Sequence, residues 1–75
     1  MRPEIYEGRH PATVGLAKFF SFQHLSRDDL RNISRACNTL AEEMIVALPD
    51  GPELTAGLRK LLEAKDCFVR AALGD

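Results

Sequence analysis

The side chain best suited to binding chemistry in this sequence is a lysine in an apolar setting. Lys65 lies between Leu61 and Phe68 on the apolar face of a predicted helix. A cation in that position extends to solvent, pairs with a carboxylate, or binds an anion or another subunit. The residue types alone leave these alternatives open, and they make Lys65 a predicted ligand contact.

A second candidate is the aromatic segment that precedes the first long helix. Phe19, Phe20 and Phe22 are followed closely by His24. Aromatic rings stack on nucleobases, but the same rings can instead cover the open side of a helical core. His24 either leads into the helix or contacts a ligand. The segment therefore leaves two alternatives open, core packing and base contacts by Phe20, Phe22 and His24, which are the candidate base-contacting residues.

A third candidate is a basic ridge on the first long helix. Arg27, Arg31 and Arg35 recur every four residues beside its apolar stripe. The planar guanidinium group suits phosphate, so Arg31 and Arg35 join Lys65 as predicted phosphate contacts. The alternative is pairing with acidic residues on the surface of the same helix. Those acidic residues are Asp28, Asp29 and Glu42.

Residue patterns typical of enzymes and metal sites are missing from the sequence. His10 and His24 lie in irregular sequence without the spacing of metal ligands. Cys37 and Cys67 form no CxxC motif and lie differently on their helices, so we expect two reduced thiols. Gly51 lacks the lysine and serine of a P-loop. We therefore expect a protein without catalytic activity, metal or cofactor.

The segment from Leu48 to Leu54 separates the two helices that must position these side chains. Pro49 lacks a backbone N–H, and it moves Leu48 out of the helical region. Asp50 is expected to cap the second helix, with Glu53 as its capping-box partner. A helix end and a helix start this close together predict two helices that fold back as an antiparallel hairpin.

The predicted fold is all-α, with one domain over residues 1–75. An N-terminal arm, irregular or short-helical, covers 1–25 and includes a short helical turn towards its aromatic cluster. Apolar residues at three- and four-residue steps predict a first helix over 26–48, capped by Ser26, and a second over 52–73. The stripes expected to face the core are Leu30, Ile33, Cys37, Leu40, Met44 and Leu48 on the first helix and Leu54, Leu58, Leu61, Leu62, Phe68, Val69 and Ala72 on the second.

Surplus apolar positions predict that copies of the chain associate. Gly57 lies in the middle of the second helix, where glycine costs about 1 kcal/mol relative to alanine. Another backbone or a ligand is therefore expected to approach it closely. Apolar residues outside the main stripes also predict self-association, because a single hairpin can bury one apolar strip but not a second one. These residues are Val46, Ala56, Cys67 and Ala71.

Bulk composition narrows the class of partner. Ten Lys and Arg residues against eleven Asp and Glu residues give a net charge of −1, which argues against coating DNA. Neither a signal peptide nor a membrane-length apolar run is apparent, so we expect a cytoplasmic protein without a membrane partner. A chain of 75 residues has a small core, worth about 3–5 kcal/mol, and self-association would reinforce it.

Several segments together resemble a family of small phage hairpin proteins. These proteins counter bacterial CBASS immunity by sequestering cyclic oligonucleotides. The same hairpin domain occurs in a phage sponge for the Thoeris signal, an ADP-ribose derivative, and residues 58–66 are similar to short proteins of actinobacterial phages. The segments are Phe20 to His24, Leu40-Ala41 with Pro49 after seven residues, Asp50 to Glu53, Gly57 to Ala64, and Arg70 to Leu73.

The resemblance implies a cytoplasmic homo-oligomer, commonly a hexamer, that traps cyclic di- or trinucleotides between subunits and so blocks host antiphage defence. Phe22 lies nearest the family's aromatic residue, and His24 matches its histidine with one residue inserted. This sequence departs from the family where Phe22 lacks a hydroxyl, where Ser34 replaces a basic residue, and where Cys67-Phe68-Val69 replaces an aromatic stretch. The alternative is an oligomeric hairpin that binds another protein and no nucleotide.

Overall fold

The computed structural model describes residues 5–22 and 25–74, so His24 lies outside the described residues. Within those two ranges the chain is all-helical and contains no strand, which confirms the predicted all-α class. The elements are α1 (Pro11–Ala17), a 3₁₀ turn (Lys18–Phe20), α2 (Asp28–Ala47) and α3 (Pro52–Leu73).

Helix α2 begins without a side-chain cap. The prediction that Ser26 caps this helix is wrong, because the N-cap position belongs to Arg27 and no side chain caps it. Asp28 and Asp29 occupy the first turn, where negative charge interacts favourably with the helix dipole. The N-cap therefore lies one residue after the predicted position, and the first turn carries acidic side chains in place of a serine cap.

The turn between α2 and α3 follows from proline chemistry. Leu48 is extended, with φ −121° and ψ 147°, as expected for a residue before proline. Helix α3 starts with Pro52 in its first turn and Gly51 as its N-cap. The prediction that Asp50 caps α3 is wrong, because its carboxylate bonds instead to the N-terminal segment. At the far end, Gly74 closes α3 in the left-handed region, with φ 96°.

The N-terminal segment is part of the core. Helices α2 and α3 pack against each other, and α1 with the 3₁₀ turn packs on both of them. The short-helical alternative predicted for this segment is confirmed by α1. Tyr6 and Phe20 are buried, so the described part of the segment is docked on the helix pair rather than extended as an arm. The buried apolar residues are Tyr6, Ala17, Phe20, Cys37, Ala41, Ile45, Leu54 and Leu58.

Because the N-terminal segment covers only part of the α2–α3 pair, part of the predicted core stripe stays in solvent. Leu40, Met44 and Leu48 are 44%, 37% and 44% exposed, and Phe68 is 54% exposed. These side chains were predicted to face the core on the basis of helical periodicity. Periodicity identifies the apolar face correctly, but it does not show which half of that face another element covers.

The described residues contain no helix whose length and apolar character would allow it to cross a membrane.

Candidate functional site

A polar network at the turn fixes the position of the N-terminal segment. The Arg9 guanidinium donates from Nε to Asp50 Oδ1 at 3.0 Å and from Nη2 to the Leu48 carbonyl at 2.8 Å. It also donates to the carbonyl of Ile45. Arg9 thus satisfies carbonyls at the C-terminal end of α2, where positive charge is favourable.

Asp50 completes this network from the other side of the turn. Its carboxylate accepts the backbone N–H of His10 at 2.9 Å and the Thr13 hydroxyl at 2.9 Å. The His10 N–H is the main cause that lowers the pKa of the Asp50 carboxyl, with smaller contributions from Thr13 and Arg9 and with partial burial opposing them. The network anchors α1 at the turn, and α1 in turn positions the 3₁₀ turn beside α3.

Lys65 holds that 3₁₀ turn in place. Its Nζ donates to the carbonyl of Phe19 at 2.6 Å and lies 5.9 Å from the centroid of the Phe20 ring. The residue is half-buried, and within residues 5–22 and 25–74 it forms no ion pair with a carboxylate. An ammonium group has three donors, so two remain for a further partner.

Lys65 lies at the wall of a cleft of about 380 Å³ between the N-terminal segment, α2 and α3, here named the polar cleft. Its polar lining consists of Lys18, Ser21, Ser34, Lys65, Asp66 and Arg70. Its apolar lining consists of Phe19, Leu25, Leu30 and Val69.

Positive charge dominates the polar cleft. Within residues 5–22 and 25–74, its charged lining comprises Lys18, Lys65 and Arg70 and one carboxylate, that of Asp66. Among the described residues, Lys18 and Arg70 form no ion pair, and Arg70 donates only to the Cys67 sulfur at 3.4 Å. Sulfur is a weak acceptor, so the guanidinium keeps most of its donor capacity.

Sequence reasoning missed Lys18, Phe19 and Arg70 as site residues. The four-residue step from Asp66 to Arg70 places both on one side of α3, and this spacing was the available signal. Lys18 gave no such signal, because its position depends on how the 3₁₀ turn docks.

Phe20 and Phe22, the predicted aromatic contacts within the described residues, do not line the polar cleft. The Phe20 ring is fully buried at 0% exposure, which favours the core-packing alternative over base stacking for that residue. Phe22 is half-buried and lies outside the lining of the cleft. The predicted contact by His24 falls outside the described residues.

The predicted arginine contacts do not line the polar cleft. Arg31 donates from Nε and Nη2 to the carbonyl of Leu25, a lining residue, at 3.0 and 2.9 Å, and its Nη1 lies 3.8 Å from Asp28. Arg35 is exposed and donates to the Asn32 side chain at 3.0 Å. Neither arginine therefore shares the cleft lining with Lys65, and Arg31 borders it through Leu25.

A second surface feature is an apolar groove along α2 and α3. It comprises two adjoining cavities of about 500 and 660 Å³, which share Leu40 and Leu61. Gly57 lines the groove, and a Cβ built there would meet nothing within 4 Å. No described part of the chain explains this glycine by close approach. The larger apolar side chains of the groove are Ile33, Leu40, Met44, Leu48, Leu54, Leu58, Leu61 and Phe68.

Neither thiol is bonded to the other. Cys37 is buried and Cys67 is exposed, and both are free. Burial raises the pKa of the Cys37 thiol, while the charge of Lys65 lowers it. In the part of the chain that the structure describes, no group of three His, Cys, Asp or Glu residues is arranged to hold a metal ion.

No protein family, curated protein or solved structure matches this chain. The resemblance to the phage sponges therefore stays a prediction that depends on the residues quoted for it.

Proposed function

We propose that this protein binds cyclic nucleotide immune signals and sequesters them without catalysis, as a homo-oligomer of antiparallel helical hairpins in the cytoplasm of a bacterial host. The observation that carries the proposal is Lys65. It is a half-buried cation on an apolar helix face, with donors to spare and no carboxylate partner among the described residues.

Lys65 carries a positive charge that no carboxylate among the described residues neutralises. Its hydrogen bond to the Phe19 carbonyl is exposed, so the ammonium group stays accessible to a ligand. The face of the Phe20 ring lies 5.9 Å from the ammonium nitrogen. An anionic ligand would supply the missing charge, and the neighbouring Phe19 ring, 63% exposed, offers a surface for a base.

The apolar groove supports the oligomeric part of the proposal. Helix α2 has 20 residues, which gives a length of about 30 Å, and two helices side by side are about 20 Å wide. Complete contact between two such faces would bury at most roughly 1,200 Å², the lower end of the range for specific interfaces, and contact through the groove alone would bury less.

Calorimetry with a panel of cyclic di- and trinucleotides tests the ligand. We expect saturable binding, and we expect Lys65→Met to weaken it about tenfold or more, because a charge-assisted contact is lost. Lys60→Met is the matched control, since Lys60 is exposed on the same helix and does not line the polar cleft. Equal affinity of wild type and Lys65→Met would exclude Lys65 from binding.

The apolar groove also favours a second candidate function, an interaction module that binds another protein. In that case the chain would self-associate or bind its partner but show no heat with any nucleotide. Circular dichroism of each variant confirms that lost binding does not reflect lost helix.

A further inference from the structure

We infer that the polar cleft is a complete binding site, within one chain, for a ligand that carries phosphate and a planar ring. Lys18, Lys65 and Arg70 contact the phosphate groups, and Phe19 packs on the ring. The inference deepens the proposed function and rests on it only for the identity of the ligand as a cyclic nucleotide.

The local charge points to an anion. Among the described residues, three cations and one carboxylate line the cleft, a local balance of +2 in a chain whose net charge is −1. Like charges that line one cleft repel each other unless counterions or a ligand screen them. A phosphodiester or pyrophosphate group supplies the compensating charge.

The cationic side chains that line the cleft have hydrogen-bond donors available for a ligand. Lys18 is exposed, and in the described ranges it forms no ion pair. Lys65 uses one of its three donors on the Phe19 carbonyl, and Arg70 uses one donor on a sulfur. Arginine and lysine together combine the planar fork and the point charge that phosphate sites use.

The apolar lining specifies the rest of the ligand. Leu25, Leu30 and Val69 line the cleft, and Phe19 at its edge exposes most of its ring. A bare inorganic anion would leave this apolar surface in water, whereas a nucleobase would cover it. The volume of about 380 Å³ is within the range of small-molecule pockets.

The position of the cleft separates it from the apolar groove. The cleft uses residues of the N-terminal segment, whereas α2, α3 and the turn alone line the groove, and the two share no residue. Association through the groove therefore does not require contact with any residue that lines the cleft. This differs from the ligand position between subunits that the family resemblance implies.

The test is NMR of the full-length ¹⁵N-labelled protein, titrated first with inorganic pyrophosphate and then with the cyclic nucleotides. We expect saturable shifts of the amides of Lys18, Phe19, Asp66 and Arg70 with both probes. The double variant Lys18→Met/Arg70→Met should lower affinity about tenfold or more. The control Arg59→Met/Lys60→Met removes the same charge from α3 outside the cleft and should bind as wild type does.

The outcomes separate this inference from the proposed function. If pyrophosphate at millimolar concentration shifts no amide around the cleft, the inference is overturned. If a cyclic nucleotide binds wild type and Lys18→Met/Arg70→Met with equal affinity, the polar cleft is not its binding site. The inference is then overturned, whereas the proposed function stands. If pyrophosphate binds at the cleft and no cyclic nucleotide binds anywhere, the cleft stands as an anion site and the proposed function fails.

Discussion

At the scale of single residues, Asp50 determines how the two ends of the fold meet. Its carboxylate accepts three hydrogen bonds from residues about forty positions earlier in the sequence. The sequence predicted a helix cap at this position, because aspartate followed by glutamate three residues later is typical of one. A local sequence pattern cannot show that Arg9 and Thr13, far away in the sequence, bind the Asp50 carboxylate and so keep it from capping the helix. The hydrogen bonds between Asp50 and the N-terminal segment could therefore not be predicted.

The Thr13 hydroxyl tests that network directly. Thr13 is fully buried, and Thr13→Val keeps its shape while it removes the hydrogen bond to Asp50. We expect the free energy of unfolding to fall by about 1 kcal/mol in urea denaturation. Thr39→Val, the same change at an exposed position of α2, should stay within about 0.5 kcal/mol of wild type. Equal stability of both variants would show that the hydrogen bond from Thr13 to Asp50 does not stabilise the fold.

The lowered pKa of Asp50 gives a pH dependence with a definite sign. A carboxyl whose pKa is lower in the folded state stabilises the fold above its ordinary pKa of about 3.9. That contribution is lost as the pH falls through the lowered pKa. Wild type should therefore be more stable than Asp50→Asn at neutral pH, and the difference should narrow below about pH 4. The pKa of Asp29 is also lowered, mainly by Arg27, but Asp29 is present in both proteins. Its contribution to the pH dependence therefore cancels in the difference between their stabilities. A difference independent of pH would contradict the assignment.

At the scale of elements, the proline break and the apolar periodicity could be predicted, but the docking of α1 could not. Pro49 and the stripe positions of α2 and α3 depend on local sterics and helical spacing. The burial of Tyr6 and Phe20 depends on contacts distant in sequence, which no local spacing encodes. The same distinction applies to the candidate site. Lys65 could be predicted from its position on the apolar face of a helix, whereas Lys18 could not, because its place depends on how the N-terminal segment docks.

Gly57 provides a prediction about α3 itself. Space is open where a Cβ would lie, so Gly57→Ala should stabilise the isolated chain by about 1 kcal/mol through helix propensity. If copies pack on the groove at this glycine, the added methyl should weaken their association. Urea denaturation at low concentration and sedimentation at high concentration measure the two effects. Unchanged or lowered stability of the dilute protein would contradict the open position of Gly57.

At the scale of the whole molecule, the uncovered half of the apolar face is the feature that one chain does not explain. Met44→Glu places a charge in the groove but outside the buried core, so we expect retained helix and loss of self-association. Val46→Glu is the matched control, because Val46 is exposed on the same helix outside the groove. Light scattering gives the mass of each. A wild-type mass equal to that of one chain would refute self-association. If only Val46→Glu lowered the mass, the interface would lie on the surplus apolar strip predicted from the sequence, which includes Val46, and not on the groove.

We propose that the half-buried cation Lys65 and its neighbours bind a nucleotide signal. Calorimetric titration of the wild-type protein with cyclic di- and trinucleotides tests this proposal. We expect saturable heat with at least one of them, at protein concentrations on the order of tens of micromolar. The absence of heat with every member of the panel would overturn the proposal.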